Sequence, residues 1–503
     1  MTSVETYARP LLARFDEALG GPARRRVVVL LALVLALDAA DKATVGAVAA
    51  ELQRGLGITN LQLGILAAAS LGVAGIATVP AGIIADRLRR TWLLAAAVLL
   101  WSGTLILAGA SGSFAMLLIS RLALGALAAT AGPTLASLVG DYFPTHERGR
   151  FFAYILTGEI IGAGFGFIVS GEITAVLSWR WGFWVLVLPG IALAFAILKL
   201  LPEPKRGGAS RIPDGAERVP MGADEAATDG GDEELTVAQE VAQGDGIEPD
   251  ESLVLDEDPT EMAVPDAIRY VLRVPTNRVL IVASALGWFF FAGVRTFGVI
   301  FVRAQFGLGQ ATATALLAAI GVGGLVGVLL GGRISDALIA RGHLSGRVLV
   351  AFTGYALTPL LLAPAIASHN LWISLPLFFA GTMALGSANP PVDAGRLDVM
   401  HHRLWGRADA VRTAARSWAE AAAPIAFGGV SQLLSSGNAS PFAAGGGAAT
   451  RHAASESAHG IQQTFLIMLV PLMVGALIGL RARRTYPRDV ATAARSEERA
   501  PVD

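Results

Sequence analysis

The sequence predicts an all-α membrane protein of twelve transmembrane helices in two pseudo-symmetric six-helix bundles. Three observations carry this. Of 503 residues, 53% are hydrophobic and 16% charged, against about 25% charged in soluble domains. The charges form short islands between apolar runs of about 18–25 residues, long enough to cross a bilayer core of about 30 Å at about 1.5 Å per residue. The chain also repeats itself: residues 44–57 read TVGAVAAELQRGLG and residues 296–309 read TFGVIFVRAQFGLG. Thr44, Gly46, Gln53, Gly55, Leu56 and Gly57 thus recur 252 positions later.

The apolar windows fall near 26–50, 61–85, 92–111, 115–139, 151–175 and 180–202, then near 279–303, 311–335, 346–367, 372–393, 410–436 and 461–482. This predicts a cytoplasmic segment 1–25, a first bundle 26–202, an acidic linker 203–270, a second bundle 271–484 and a tail 485–503. Arginines set the orientation. One set of connections carries Arg24–Arg26, Arg87, Arg89, Arg90, Arg148, Arg150, Arg333, Arg341, Arg347, Arg396, Arg403, Arg407 and Arg481–Arg484. The alternate set carries only Arg54, Arg180, Arg303 and Arg451, which puts both termini in the cytoplasm. Residues 1–23 are polar and mixed in charge, so no cleavable signal peptide is expected. Arginine-rich composition with abundant Ala and Gly points to a bacterial inner membrane.

Between Asp214 and Glu261 stand 17 acidic residues and one arginine. Such a stretch predicts a disordered linker, serving as a tether or as a partner-binding segment. Gly158, Gly162 and Gly166 lie four apart in span five, as do Gly323, Gly327 and Gly331 in span eight. Stripes of small residues let helix backbones approach closely.

A second echo joins Gly82-Ile-Ile-Ala-Asp86-Arg87-Leu-Arg-Arg90 to Gly332-Arg-Ile-Ser-Asp336, offset by 250, so two residues are lost between the echoes. Duplicated half-chains with the working site between them are a transporter architecture. The Gly82–Arg90 motif and its copy resemble the signature of the major facilitator superfamily. Arg121 opening span four before Gly125, and Glu147-Arg148-Gly149-Arg150 before span five, fit the same family. A narrower resemblance is to the Spinster-like branch. It rests on Asp41-Lys42, where that branch has Asp-Arg, and on Gly162-Ala-Gly164-Phe-Gly166-Phe with Ser170-Gly171. Trp179-Arg-Trp181 and Pro189-Gly190 add to it. The branch carries a glutamate in mid span four, whereas this chain reads Gly125-Ala-Leu-Ala-Ala-Thr130. Relatives in that branch move lysophospholipids and sphingoid compounds, so the resemblance implies an amphipathic, lipid-like substrate.

A charge at mid-bilayer costs about 2.5–3.5 kcal/mol on insertion scales, so each needs a reason. Span one holds Asp38, Asp41 and Lys42; Asp38 is one helical turn from both others. Two carboxylates near one ammonium do not both ionise comfortably. Asp38 and Asp41, with Glu159 in span five, are therefore the proton-coupling candidates. A permanently ionised structural cluster is the competing reading. Lys42, Arg121, Trp288, Arg295, Arg416 and Glu420 are the substrate-binding candidates, Arg295 standing at the level of Lys42 in the repeat. Arg suits phosphate or carboxylate through its planar fork. Arg412, Arg416 and Glu420 share one stripe, and pseudo-symmetry sets Glu159 opposite Arg416. Gating is expected from Gly82, Asp86, Arg87, Arg90, Glu147, Arg148, Arg150 and Asp336, and from Asn389, Asp393 and Arg396, where Pro390-Pro391 should break span ten. Asp86 is expected to cap a neighbouring helix, and Arg87 and Arg90 to pair with acids of the other half, the Asp336 latch being weaker.

Function is bounded by what is missing. There are no cysteines, no Gly-rich phosphate loop with Gly-Lys-Ser/Thr, and no metal-ligand spacing around His343, His401, His402, His452 or His459. Neither an enzyme, a cofactor, a metal nor nucleic acid is expected. The expected function is secondary transport by alternating access, as a monomer, of an amphipathic molecule that Lys42 and Arg295 would suit if anionic, with protons as the coupling ion. A multidrug or small organic-solute efflux carrier is the alternative on the same fold. A non-transporting receptor or scaffold is the alternative of another class.

Overall fold

The computed structural model describes residues 19–143, 145–204, 212, 235–435 and 448–499. Every regular element among them is a helix. The first half comprises α1 (Pro22–Ala47), α2 (Ala49–Leu56), α3 (Asn60–Arg87), α4 (Arg90–Gly109), α5 (Phe114–Ala128), α6 (Ala131–Tyr142), α7 (Thr145–Val176), α8 (Trp179–Trp184) and α9 (Val187–Leu200). There follow α10 (Val237–Gly244), α11 (Val264–Arg273), α12 (Pro275–Phe306), α13 (Gln310–Ile339) and α14 (Gly346–Ala367). The chain ends with α15 (Leu371–Asp398), α16 (Trp405–Leu434), α17 (Ala448–Gly479) and α18 (Tyr486–Arg499). Ten stretches, with α5–α6 and α8–α9 each counted as one, are long and apolar enough to cross a membrane. The 26-residue α1 and the 30-residue α16 are equally long but carry several charges. Contacts divide the chain into two compact units, Met1–Leu56 with Ala69–Asp232, and Gly57–Ala68 with Glu233–Asp503.

The sequence repeat is visible as local structure. Thr44 Oγ1 donates to the Ala40 carbonyl and Thr296 Oγ1 to the Ala292 carbonyl, both at 2.9 Å. Each copy then ends its helix on a left-handed glycine, Gly57 or Gly307, both at φ +65°. Those two are 250 apart, so the two-residue difference between the echoes is absorbed within the repeat. The first copy breaks its helix at Val48 and carries Gly55 inside α2, where a Cβ would lie 2.4 Å from the Trp179 indole.

Each unit is held by one glycine ladder. In the first, a Cβ at Gly158, Gly162 or Gly166 of α7 would come within 2.1–2.3 Å of main-chain atoms of Ala32, Ala36 or Ala40 of α1. In the second, Gly323, Gly327 and Gly331 of α13 face the carbonyls of Phe379, Met383 and Ser387 of α15, a Cβ at each falling 2.6, 2.0 and 2.0 Å away. Close backbone approach of this kind replaces hydrophobic segregation, which is weak between helices in lipid.

Two expectations are corrected. Pro390 and Pro391 do not break span ten, because α15 continues to Asp398. They strip Gly386 and Ser387 of their helical donors. The Ser387 carbonyl lies against Gly331, and such packing against a neighbour is what lets membrane helices tolerate proline. Nor is the linker without structure over 235–270. Thr236 and Gln239 form a capping box on α10. The Asp250 and Leu255 amides donate to Thr492 Oγ1 and Ser496 Oγ of α18 at 2.8 and 3.0 Å. Arg403 pairs with Asp258, and Arg407 donates to the carbonyls of Pro259 and Met262. Leu255, Ala267 and Leu404 pack together. The acidic count hid these few apolar anchors and the basic groups that neutralise the segment. The remainder of 205–234, Ile212 apart, lies outside the described residues, as does the loop 436–447.

The α1–α7 ladder yields a paired prediction. Gly162→Val drives Cβ and two methyls into the Ala36 main chain, and overpacking of this kind costs about 1–3 kcal/mol. The melting temperature of the purified protein should fall. Gly164→Ala, whose Cβ meets nothing within 4 Å, should leave it unchanged.

Candidate functional site

The sequence-predicted charged side chains of the described helices gather into several groups, three of which contain candidate site residues from α1, α12, α15 and α16. The first is built on α1. Lys42 Nζ pairs with Asp38 at 2.5 Å, one turn back. Asp41 turns away from both and receives Arg121 of α5, whose Nη1 lies 3.0 and 3.1 Å from its two carboxylate oxygens. Both side chains of that pair are 1% exposed. The Arg121 guanidinium stands 5.0 Å from the Phe183 ring centroid, and its Nε and Nη2 have no hydrogen-bond partner among the described residues. Two of the ion pairs of span one are therefore Asp38 with Lys42 and Asp41 with Arg121. Glu159 is half-buried on α7 beside the ladder glycine Gly158.

The second group joins α12 to α16. Arg416 Nε donates to Glu420 Oε1 at 2.6 Å, the intrahelical pair that the spacing suggested. Its guanidinium lies 3.4 Å from the centre of the Trp288 ring, a stacked cation–π geometry. Arg295 Nη2 faces the other oxygen of Glu420 at 3.7 Å, an ion pair too long for a hydrogen bond. One buried carboxylate thus serves two half-buried arginines. Trp288 meets Phe291 edge-on, and Phe427 packs on Phe289, Phe290, Phe297 and Phe465.

The third group lies where α15 meets α16. Arg396 pairs with Asp409 at 2.9 Å, and Arg412 with Asp393 and Asp409 at 2.9 and 3.0 Å. Tyr355 Oη donates to Asn389 Oδ1 at 3.5 Å. Arg412 therefore leaves the stripe it shares with Arg416 and bonds these helix ends together.

A further arginine–aspartate clamp appears in each unit, and sequence reasoning missed it. Arg90 at the start of α4 pairs with Asp141 at the end of α6; Arg347 at the start of α14 pairs with Asp398 at the end of α15, at 2.5 Å. Both partners recur at an offset of 257 (347 − 90 and 398 − 141), which the shorter echoes did not reveal. Expected to reach the other half, Arg90 instead bonds within its own half, to Asp141, to Ser137 and, at 3.0 Å, to Glu203. Burial alone would raise the Glu203 pKa, but hydrogen bonds from Thr91 and Arg90 outweigh it and hold the carboxyl below its ordinary value. In the second unit Tyr486 of α18 donates to Asp398, while Asp336 is largely exposed and 3.8 Å from Arg347. Arg87 is exposed and Gly82 half-buried. The side chains of Asp86, Glu147, Arg148 and Arg150 lie outside the described ones.

The fold also assembles a group that spacing could not announce. His401, His402 and Glu497 bring one ligand atom each to within 4.8 Å of one another.

Residues 31–424 match the family model for the Major Facilitator Superfamily. The probable galactarate/D-glucarate transporter GudP of Bacillus subtilis (strain 168) is 26% identical over 330 residues, 63% of this chain and 66% of that protein. Protein spinster of Drosophila melanogaster is 28% identical over 182 residues, 36% of this chain and 30% of that protein. The matches thus span 66% or less of these relatives' own lengths. Among solved structures, a bacterial homolog of the human lysosomal transporter Spinster, in an inward-facing and unoccupied conformation, superposes with a TM-score of 0.73 at 18% identity. The match covers 92% of this chain and 97% of that one.

Two predictions follow from the ion pairs. Asp41→Ala leaves Arg121 buried without its counter-charge, a loss of about 3–5 kcal/mol. Thermal unfolding should show it, and adding Arg121→Met should restore most of the stability. Glu203, with its folded pKa depressed, stabilises the fold above its unfolded pKa. That contribution fades as pH falls through the folded value. Glu203→Gln should make the acid-side fall of stability shallower by removing this contribution.

Proposed function

Since this chain belongs to the Major Facilitator Superfamily, a family of transporters rather than enzymes, we propose that it is a secondary transporter for an amphipathic organic anion. We place it in the Spinster-like branch and in a bacterial inner membrane with both termini cytoplasmic. The arrangement of Arg295, Arg416 and Glu420 carries this reading. Glu420 lies beside two guanidinium groups, and an anionic carboxylate or phosphate could take its place on either fork. Trp288, Phe289 and Phe291 beside it offer apolar surface for the rest of the molecule.

Proton coupling follows from the same chemistry. Protonating Asp38 would remove the charge that faces Lys42, and protonating Glu420 would remove the charge that faces both arginines. A compact organic acid is the second reading, favoured by the similarity to a galactarate/D-glucarate transporter.

Proteoliposome uptake distinguishes these. Lysophospholipid, galactarate and a cationic dye are offered in turn, with and without a pH gradient. Uptake of the lysophospholipid, lowered about tenfold or more in Arg295→Ala and Arg416→Ala, is expected, the size of a lost charged hydrogen bond of about 1.5–3 kcal/mol. Asp38→Asn should abolish the response to the gradient. Uptake of the dye alone, unaffected by either arginine, would sink the proposal; uptake of galactarate alone would establish the second reading.

A further inference from the structure

We propose that His401, His402 and Glu497 form a binding site for a divalent transition-metal ion of the Zn²⁺ type, which ties α18 to the connection between α15 and α16. The donor set is the first reason. Two imidazoles and one carboxylate are a donor set used for Zn²⁺, whereas Mg²⁺ and Ca²⁺ prefer oxygen ligands. The spacing is the second. Tetrahedral ligands at about 2.0–2.2 Å from zinc stand about 3.3 Å from one another. His401 Nε2 is already 3.2 Å from Glu497 Oε2. His402 Nδ1 is 2.6 Å from the same oxygen and needs only to open to admit an ion. The two rings stack at 4.6 Å between centroids and 28° between planes, so both present nitrogen edges to one carboxylate.

The surroundings hold these donors in place. Glu497 Oε1 accepts the His402 main-chain N–H at 2.7 Å, which fixes the carboxylate while Oε2 faces the rings. His401 is buried, and His402 is 31% exposed at its side chain, giving an ion one open approach and a position for water. The Arg403 amide donates to His401 Nδ1 at 3.2 Å, so the neutral ring carries its proton on Nε2. Loading Nε2 moves that proton to Nδ1 and releases this long bond.

The mechanical consequence follows from the neighbours. Residues 399–404 leave α15 directly after Asp398, which Arg347 and Tyr486 hold. The α18 helix also carries Thr492 and Ser496, which hold the 235–261 segment. An ion at Glu497 would fasten all three pieces, so its loading would stiffen this end of the second unit.

The full-length, untagged protein, purified and stripped with a chelator, tests this by calorimetric titration with ZnCl₂ and by metal analysis. A single Zn²⁺ per chain is expected, with no binding of Mg²⁺. Glu497→Gln and His402→Ala should each weaken binding by about tenfold to a hundredfold. Substituting the exposed His343 by Ala should not. Hydrogen exchange within 486–499 should slow on adding zinc to the wild type only. Should Glu497→Gln unfold the chain, the tetrahedral absorption spectrum of Co²⁺ in the wild type still decides. Failure to bind zinc, no Co²⁺ spectrum, or binding that both substitutions leave intact overturns the proposal.

Discussion

Close backbone approach along two glycine ladders is the constraint on which the rest of the structure depends. With α7 pressed onto α1 at Ala32, Ala36 and Ala40, that stripe of α1 has no room for a side chain larger than alanine. Asp38, Asp41 and Lys42 must leave the helix in other directions. Asp41 reaches Arg121 on α5, and Asp38 folds onto Lys42. In the second unit, the α13 ladder runs along the carbonyls of α15 and covers the backbone that Pro390 and Pro391 leave without donors. Packing therefore decides which charges meet, and charge pairing makes the packing tolerable in lipid.

Pairing within each unit is the second theme. Mid-membrane charges are costly, and several carboxylates here meet a guanidinium: Asp41 with Arg121, Glu420 with Arg416 and, at longer range, Arg295, Asp393 with Arg412, and Asp409 with Arg412 and Arg396. Only some of these groups leave donors unspent. Among the described residues, Nε and Nη2 of Arg121 and Nε of Arg396 have no hydrogen-bond partner. At the ends of α15 and α16, Asp393 and Asp409 each stand within ion-pair distance of an arginine, which ties these helix ends together. Stacked on Trp288, Arg416 has already surrendered much of its freedom, so little ordering cost remains for the bonds it makes.

The two halves are alike in their clamps and differ in what closes them. Arg90 and Asp141 are closed by Glu203, an acid just past α9; Arg347 and Asp398 are closed by Tyr486 on a helix of its own. That helix brings Asp489, whose carboxyl burial pushes above its ordinary value although Thr276 donates to it. It also brings Glu497 to the two histidines, and it receives the acidic segment. The second half has thus acquired a polar collar of material from the linker and the tail.

Hydropathy by itself determined the helical class, because the length of an apolar run is a local property that the bilayer thickness fixes. Local motifs likewise gave the family: Gly82–Arg90 and its echo need no neighbour to be read. The Arg416–Glu420 pair and both glycine stripes were legible for the same reason, since one helix carries each pattern at its own period. Tertiary structure alone decided the rest. Asp41 with Arg121, Arg347 with Asp398, and Glu497 with His401 and His402 join residues 51 to 96 positions apart (398 − 347 and 497 − 401), and no periodicity within one helix predicts which partner a side chain will find. The 235–273 segment shows the converse: its net charge suggested disorder, but a handful of apolar side chains and hydroxyl partners on α18 were enough to seat it.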